Sequence, residues 1–206
     1  MGLWREQVVP RIADKTLGNN AVQAVRERVC AGLYGDVLEI GFGAGRNLPF
    51  YPPAVTGVWT VDPSKVARQL GRRRIAASRV TIHAAGIDGQ AIEVPDARFD
   101  SSLSTFTLCT IPDATAALRE VLRALKPGGA LHFVEHGRSP EPDVAAWQRR
   151  LEPVNRRIAA GCHLTRDIGQ LVADAGFVIE ALDNHYLAGD PKPFGYLYEG
   201  CGRKPS

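Results

Sequence analysis

A doubly wound α/β domain built on a mostly parallel sheet is the fold this sequence predicts, on three observations. Short β-branched runs alternate with longer helical patterns along most of the 206 residues, which is how parallel strands joined by crossover helices read. The first run, Val37-Leu38-Glu39-Ile40, passes directly into glycines at alternate positions, Gly41, Gly43 and Gly45. The second, Val58-Trp59-Thr60-Val61, ends in the carboxylate of Asp62. With 45% hydrophobic and 23% charged residues the chain can bury one sizeable core, so a single domain over 1–206 is expected.

An N-terminal helical segment is expected over 1–34, ahead of the first strand. Strands are predicted at 36–40, 58–61, 80–83, 101–104 and 130–134, where β-branched and apolar residues run between loop residues. The helix over 113–125 is the best defined: Leu118, Val121, Leu122 and Leu125 recur at i, i+3, i+4 and i+7, and Lys126-Pro127-Gly128-Gly129 stops it. Beyond the fifth strand the pattern changes. Residues 143–160 form an amphipathic stretch carrying Trp147 and Leu151, which Pro153 is expected to interrupt. A helix over 165–175 turns Ile168, Leu171, Val172 and Ala175 inward and ends at Gly176, a glycine in the C′ position. Strands at 178–183 and 195–200 complete a seven-stranded sheet with helices on both faces.

Composition excludes several classes. No run of eighteen apolar residues exists and the N-terminus lacks the apolar stretch of a secretory signal, so a soluble, cytoplasmic protein is expected. Cys30, Cys109, Cys162 and Cys201 are widely spaced, with no CxxC pair, and read as reduced thiols. No His, Cys or carboxylate pair has ligand spacing on one helix face, so no metal is expected. The net charge of +3 is small. Arg72-Arg73-Arg74 and Arg149, Arg150, Arg156 and Arg157 read as solvated helix faces, because no aromatics for base stacking interleave with them; no nucleic-acid partner is expected.

The glycine loop serves a tight turn and lets a ligand approach the backbone. A dinucleotide fingerprint would need glycine where Arg46 stands, which argues for a ligand without a pyrophosphate. Asp62, about 20 residues beyond the loop at the next strand end, is placed to accept both hydroxyls of a ribose, because an ionised carboxylate only accepts. Gly86-Ile87-Asp88-Gly89 follows the third strand, where an acceptor can meet an adenine amino group and Ile87 can pack on the ring. Taken alone, Asp88-Gly89 is a simple turn; in register with the other two, it becomes a nucleoside contact.

Four motifs now stand in order: Glu39-Ile40-Gly41-Phe42-Gly43-Ala44-Gly45, Asp62, Pro95-Asp96-Ala97-Arg98-Phe99-Asp100 before the fourth strand, and Leu125-Lys126-Pro127-Gly128-Gly129 before the fifth. Over nearly its whole length the chain thereby resembles the class I methyltransferases that use S-adenosylmethionine (SAM). The resemblance implies a Rossmann-like sheet whose last strand is antiparallel, SAM as methyl donor and S-adenosylhomocysteine as product. It implies a donor site made by Glu39, Gly41, Phe42, Gly43, Gly45, Asp62, Pro63, Ile87, Asp88, Gly89 and Thr105. Asn47-Leu48-Pro49-Phe50-Tyr51-Pro52-Pro53, Phe133-Val134-Glu135-His136 and Gly161-Cys162-His163-Leu164-Thr165-Arg166 resemble a narrower branch, that of the ubiquinone and menaquinone C-methyltransferases and the microsomal alkyl thiol methyltransferases. Those microsomal enzymes carry an apolar N-terminal anchor, whereas Arg5, Glu6, Arg11 and Asp14 make this segment polar, so a stable membrane anchor is not carried over.

Methyl transfer from a sulfonium is an in-line displacement, so alignment and exclusion of water matter most and a base is optional. A thiol acceptor needs a modest pKa depression; an alcohol or amine gains more from an imidazole. His136, just past the fifth strand, is the candidate catalytic base, with a loop-fixing bond to Glu135 as the other reading. His83 and His132 sit within strands and read as structural. His163 either orders the turn at 162–166 or lines the acceptor pocket, His185 has no assigned place, and Cys109 reads as a small buried thiol that can also face the acceptor. The segment 143–166 is expected to be a lid over the acceptor. The acceptor expected is a small molecule, a thiol or apolar metabolite. The alternatives are C-methylation of a quinone precursor or N-methylation of a lipid head group, which an apolar surface on the N-terminal segment or the Trp147 helix would favour, or SAM binding without catalysis. The oligomeric state is not encoded in these patterns.

Overall fold

The computed structural model describes residues 2–206, the Arg5 side chain excepted. Seven strands form one sheet: β1 (Gly35–Ile40), β2 (Val55–Val61), β3 (Thr81–Gly86), β4 (Phe99–Thr105), β5 (Leu125–His136), β6 (Val178–Tyr186) and β7 (Tyr196–Arg203). Their spatial order is β3-β2-β1-β4-β5-β7-β6. The first five are parallel, and β7 runs antiparallel to both β5 and β6. The order reverses between β1 and β4, and in open α/β sheets the crevice at the carboxyl ends of the strands beside such a reversal is where ligands bind.

Alternation along the strands divides the core into two layers. Leu38 and Ile40 of β1 point to the layer that also holds Leu118 and Val121 of α5 (Ala114–Ala124) and Val172 of α7 (Ile168–Asp174). Val37 points to the other, with Val22, Val25 and Val29 of α2 (Asn20–Cys30). Glu39 has the parity of Val37, so the strand period aims this carboxylate at α2. A turn over Trp4–Val8 and α1 (Val9–Thr16) precede α2. Among the described residues, no helix is long and apolar enough to cross a membrane.

Three expected boundaries change. Lys126-Pro127-Gly128-Gly129 is not a free turn. It lies within β5 as an irregularity in the pairing with β4, and the Lys204 N–H donates to the Gly129 carbonyl at 2.9 Å. Pro153 does not interrupt α6 (Pro142–Ile158). It sits on the exposed face, where a carbonyl that a proline cannot serve is less costly than it would be in the core. The helix expected from residue 165 begins only at Ile168, because the Asp167 side chain caps it by accepting the Gln170 N–H at 3.1 Å. Two short helices, α3 (Lys65–Leu70) and α4 (Arg72–Ala76), cross from β2 to β3, and a single turn, α8 (Lys192–Gly195), joins β6 to β7.

Candidate functional site

The glycine loop leaves β1 with Gly41, Gly43 and Gly45 all at positive φ (75°, 56° and 69°), a conformation that side chains disfavour. Their surroundings differ. A Cβ on Gly41 would run into the Thr107 side chain, and one on Gly45 would lie 2.8 Å from Leu48, so both glycines are needed for packing. A Cβ on Gly43 would meet nothing nearer than the Gly41 carbonyl at 4.0 Å. The space above Gly43 is therefore open, as a ligand cradle requires. Phe42 points the other way, 3% exposed in the core beneath the loop, so its side chain anchors the loop rather than lining the cradle.

Asp62, at the end of β2, closes one side of this cradle. One carboxylate oxygen accepts the Gly43 N–H at 2.6 Å and the other the Ser64 N–H at 2.7 Å. Burial holds its pKa above the ordinary range against these two bonds. Each oxygen keeps a further lone pair. Pro63 beside it is exposed. Gly86 accepts the Asp62 N–H at 3.2 Å, which brings the loop after β3 alongside. There Ile87 is 72% exposed, and one oxygen of the exposed Asp88 accepts both the backbone N–H and the side-chain amide of Gln90. Gly89 packs towards Ile111.

The other side of the cradle is a buried polar cluster. Glu39, fully buried, accepts from Asn47 Nδ2 at 2.6 Å and from the Tyr51 hydroxyl. Arg26 of α2 donates to Asn47 Oδ1 at 2.7 Å and to the Thr105 hydroxyl at 2.9 Å, and its guanidinium lies 5.2 Å from the Phe106 ring centre. Burial raises the Glu39 pKa to about 7, even with Tyr51, Asn47 and Arg26 opposing, and lowers that of Arg26 to about 10. Arg26 Nε is buried with no partner among the described residues. Thr105, predicted as a donor contact, is thus the β4 member of this cluster. Sequence reasoning missed Arg26 altogether. The signal available was Glu39 itself, an acid inside an apolar strand, which demands a buried partner.

At the ends of β4 and β5 a second group assembles. Glu135 is buried and accepts from the Ser104 hydroxyl (2.7 Å), the Thr107 N–H (2.9 Å) and the Cys109 N–H (3.1 Å). It braces the loop after β4 and makes no bond to His136, unlike the loop-fixing reading. The His136 ring lies 5.0 Å from that of Phe106, with Nδ1 4.0 Å from Cys162 Sγ. Hydrogen bonds from Cys109 and His136 outweigh burial and lower the Cys162 pKa, whereas the bond with Cys162 together with burial raises that of Cys109. Burial pulls the His136 pKa down, but the Cys162 contact raises it overall. The turn carrying Cys162 is held by Glu152 of α6, which meets His163 Nδ1 at 3.0 Å and accepts the Thr165 N–H at 2.9 Å. The His163 N–H donates to the Cys109 carbonyl at 2.8 Å, and Arg166 donates to the Leu108 and Pro112 carbonyls. Both contacts set the turn on the loop after β4. Trp147, by contrast, is 53% exposed, with Arg150 over its ring. Of the remaining histidines, His83 stacks on Trp59 at 4.5 Å and His185 stands between Asp183 and Glu199.

Across the carboxyl edge the order is thus Ile87 and Asp88, Asp62, the glycine loop, Thr105, then Cys109 and His136. A family model described as a methyltransferase domain matches residues 38–133. The chain is 35% identical over 168 residues to the thiol S-methyltransferase TMT1B of Rattus norvegicus, covering 80% of this chain and 66% of the relative. To TMT1B of Mus musculus it is 34% identical over 175 residues, covering 82% and 69%. The chain spans somewhat less than two thirds of the rat relative's length. Among solved structures, phospholethanolamine N-methyltransferase 2 of Haemonchus contortus, in complex with phosphomonomethylethanolamine and S-adenosylhomocysteine, superposes with a TM-score of 0.72. It is 16% identical and aligns over 98% of this chain and 60% of its own.

Proposed function

Because the chain belongs to the class I SAM-dependent methyltransferases, we propose that it moves the methyl group of SAM to the sulfur of a small thiol and releases S-adenosylhomocysteine. The observation that carries this reading is the open cradle above Gly43, bounded by Asp62 on one side and the Arg26–Glu39 cluster on the other. The spare lone pairs of Asp62 suit a vicinal diol, Ile87 and Asp88 suit an adenine ring and its amino group, and the backbone at Gly41, Gly43 and Gly45 suits the methionine part. Arg26 is the buried cation that matches the donor's carboxylate. When bound, SAM supplies a methyl group activated on a positive sulfur; the chain aligns the acceptor and keeps water out.

The thiol reading is supported by the relatives' names and by the soft groups at the acceptor end of the site. His136 stands there, beneath the segment 143–166, which acts as a lid through its 162–166 turn. The reading calls for a small-molecule partner and a cytoplasmic setting, where the four free thiols stay reduced. The test is to incubate the purified protein with SAM and a panel of thiols, phenols, amines and quinols, and to measure S-adenosylhomocysteine release. Turnover with thiols is expected; turnover only with amines or quinols would overturn the choice of acceptor.

A second reading has one observation in its favour. Trp4 and Ile12 near the N-terminus and Trp147, Val154 and Ile158 on α6 are exposed apolar residues, and Trp4 Nε1 donates to the Ile158 carbonyl at 3.3 Å. With Arg149, Arg150, Arg156 and Arg157 exposed on the same helix, this surface suits an acceptor presented by a lipid, such as a quinone precursor or a lipid head group. Adding anionic vesicles that contain those acceptors to the same assay separates the two.

A further inference from the structure

Three soft donor groups, far apart in sequence, meet at the carboxyl ends of β4 and β5. Cys109 follows β4, His136 ends β5 and Cys162 follows α6, yet the two sulfurs and a ring nitrogen of His136 all lie within 4.8 Å of one another. The expectation of no metal was drawn from spacing on single helices, and spacing cannot register donors brought together from a strand end and two separate loops.

Each backbone is fixed independently of the cluster. The Cys109 N–H is held by Glu135, its carbonyl accepts from the His163 N–H, and the Cys162 carbonyl accepts from Asn155 Nδ2 at 2.8 Å. The Phe106 ring packs against that of His136 at a tilt of 48°. Leu164, with Leu151 and Ala159, packs an apolar wall around the sulfurs. Such preorganisation by surrounding bonds is what a metal site requires of its outer shell.

We propose that Cys109, Cys162 and His136 ligate a thiophilic divalent cation, with zinc as the ion of matching chemistry, and that the thiolate of the acceptor takes the fourth coordination position. Two thiolates and a neutral imidazole are a recognised three-ligand zinc set that leaves one position open. Two thiolates also cancel the charge of the ion, which suits a dry apolar surround. Glu135 offers no fourth ligand, because its oxygens are spent on Ser104, Thr107 and Cys109. Binding of the cation releases whatever protons Cys109, Cys162 and His136 still hold among them, and binding of the acceptor releases its own. The coordinated sulfur then attacks the methyl carbon. A new C–S bond forms, the methyl–sulfonium bond breaks with its electron pair returning to the donor sulfur, and the neutral thioether leaves the metal. No separate base is needed, and His136 Nδ1 serves as a ligand. The naming of the fourth ligand rests on the thiol-acceptor reading; the cation site does not.

The test uses the full chain, reduced, freed of metal with a chelator and titrated with zinc alone against a chromophoric competitor. Equimolar binding is expected, retained in Cys201→Ser and lost in Cys109→Ser and Cys162→Ser. If either variant fails to fold, zinc must instead protect Cys109 and Cys162 of the wild type from iodoacetamide, read by mass spectrometry. Absence of zinc binding, or binding without protection of these two thiols, overturns the site. So does a Cys109–Cys162 disulfide in the isolated protein whose reduction creates no zinc affinity. In the cobalt-substituted protein, a small thiol should shift the thiolate-to-metal charge-transfer bands; unshifted bands overturn the open fourth position. Zinc bound as described in a protein that methylates no thiol would leave the cation site standing and defeat the functional reading alone.

Discussion

Asp62 acts twice with one carboxylate: it pins the glycine loop through Gly43 and the start of α3 through Ser64, and it keeps lone pairs for a ligand. Asp62→Ala removes both, and SAM and S-adenosylhomocysteine should bind about 5- to 150-fold more weakly, the ~1–3 kcal/mol of lost charged hydrogen bonds, read by titration calorimetry. Gly43 makes the complementary case. Its space is open and its φ is 56°, so Gly43→Val puts a branched side chain into the cradle and strains the loop. Donor binding should disappear while circular dichroism stays near wild type; a variant that still bound SAM normally would make the loop a structural turn only. These two residues were legible because a glycine loop and an acid about 20 residues on are local features with a fixed spacing. Arg26 was not, because a charged residue within a helix reads as solvated unless the strand facing it is known. Nor was the Cys109, His136 and Cys162 group, whose members lie on a strand end and two loops that only the tertiary fold joins.

Among the elements, α6 and the turn after it are where sequence and structure differ most usefully. The amphipathic pattern located the helix, but the role of Trp147 at its surface and the continuity through Pro153 depend on which face meets the body of the protein. Gln148 decides that: it accepts the Ser139 N–H at 2.9 Å and donates to the Gly137 carbonyl at 3.0 Å, docking the helix beside the end of β5. Glu152, one turn further on, holds the 162–166 turn down. Glu152→Ala should therefore free the turn without disturbing the donor loop. The acceptor KM is expected to rise about tenfold or more, the scale of losing charged hydrogen bonds, while SAM affinity stays within about twofold. The check is steady-state kinetics with the acceptor varied, beside calorimetry with SAM. Equal loss of SAM affinity would place the turn in the donor site and end its description as an acceptor lid.

For the molecule as a whole, the doubly wound, mostly parallel sheet was legible from the alternation of strands and helices, but its strand order and the titration of the groups it buries were not, and two of those groups give stability opposing dependences on pH. His132 lies within β5 opposite Cys201 of β7. Burial, helped by Arg203, lowers its pKa from 6.5 to about 4. Above pH 6.5 the ring is neutral folded and unfolded; below it, only the unfolded chain takes the proton until about pH 4. His132 therefore makes stability fall with acid across that window, by at most about 3 kcal/mol. Glu39 works in reverse, since burial raises its pKa from 4.5 to about 7. Between those values the folded carboxyl holds a proton that the unfolded one has lost, so stability falls as pH rises from about 4.5 to 7, by a similar upper amount. Urea unfolding of wild type, His132→Gln and Glu39→Gln at pH values from 4 to 8 separates the two. Relative to its stability at neutral pH, His132→Gln should lose less than wild type on acidification. Glu39→Gln should lose more, because it lacks the group that gains from acid. Difference curves of the same sign for both variants, or flat ones, would mean that at least one of these groups titrates in the folded protein as it does in the open chain.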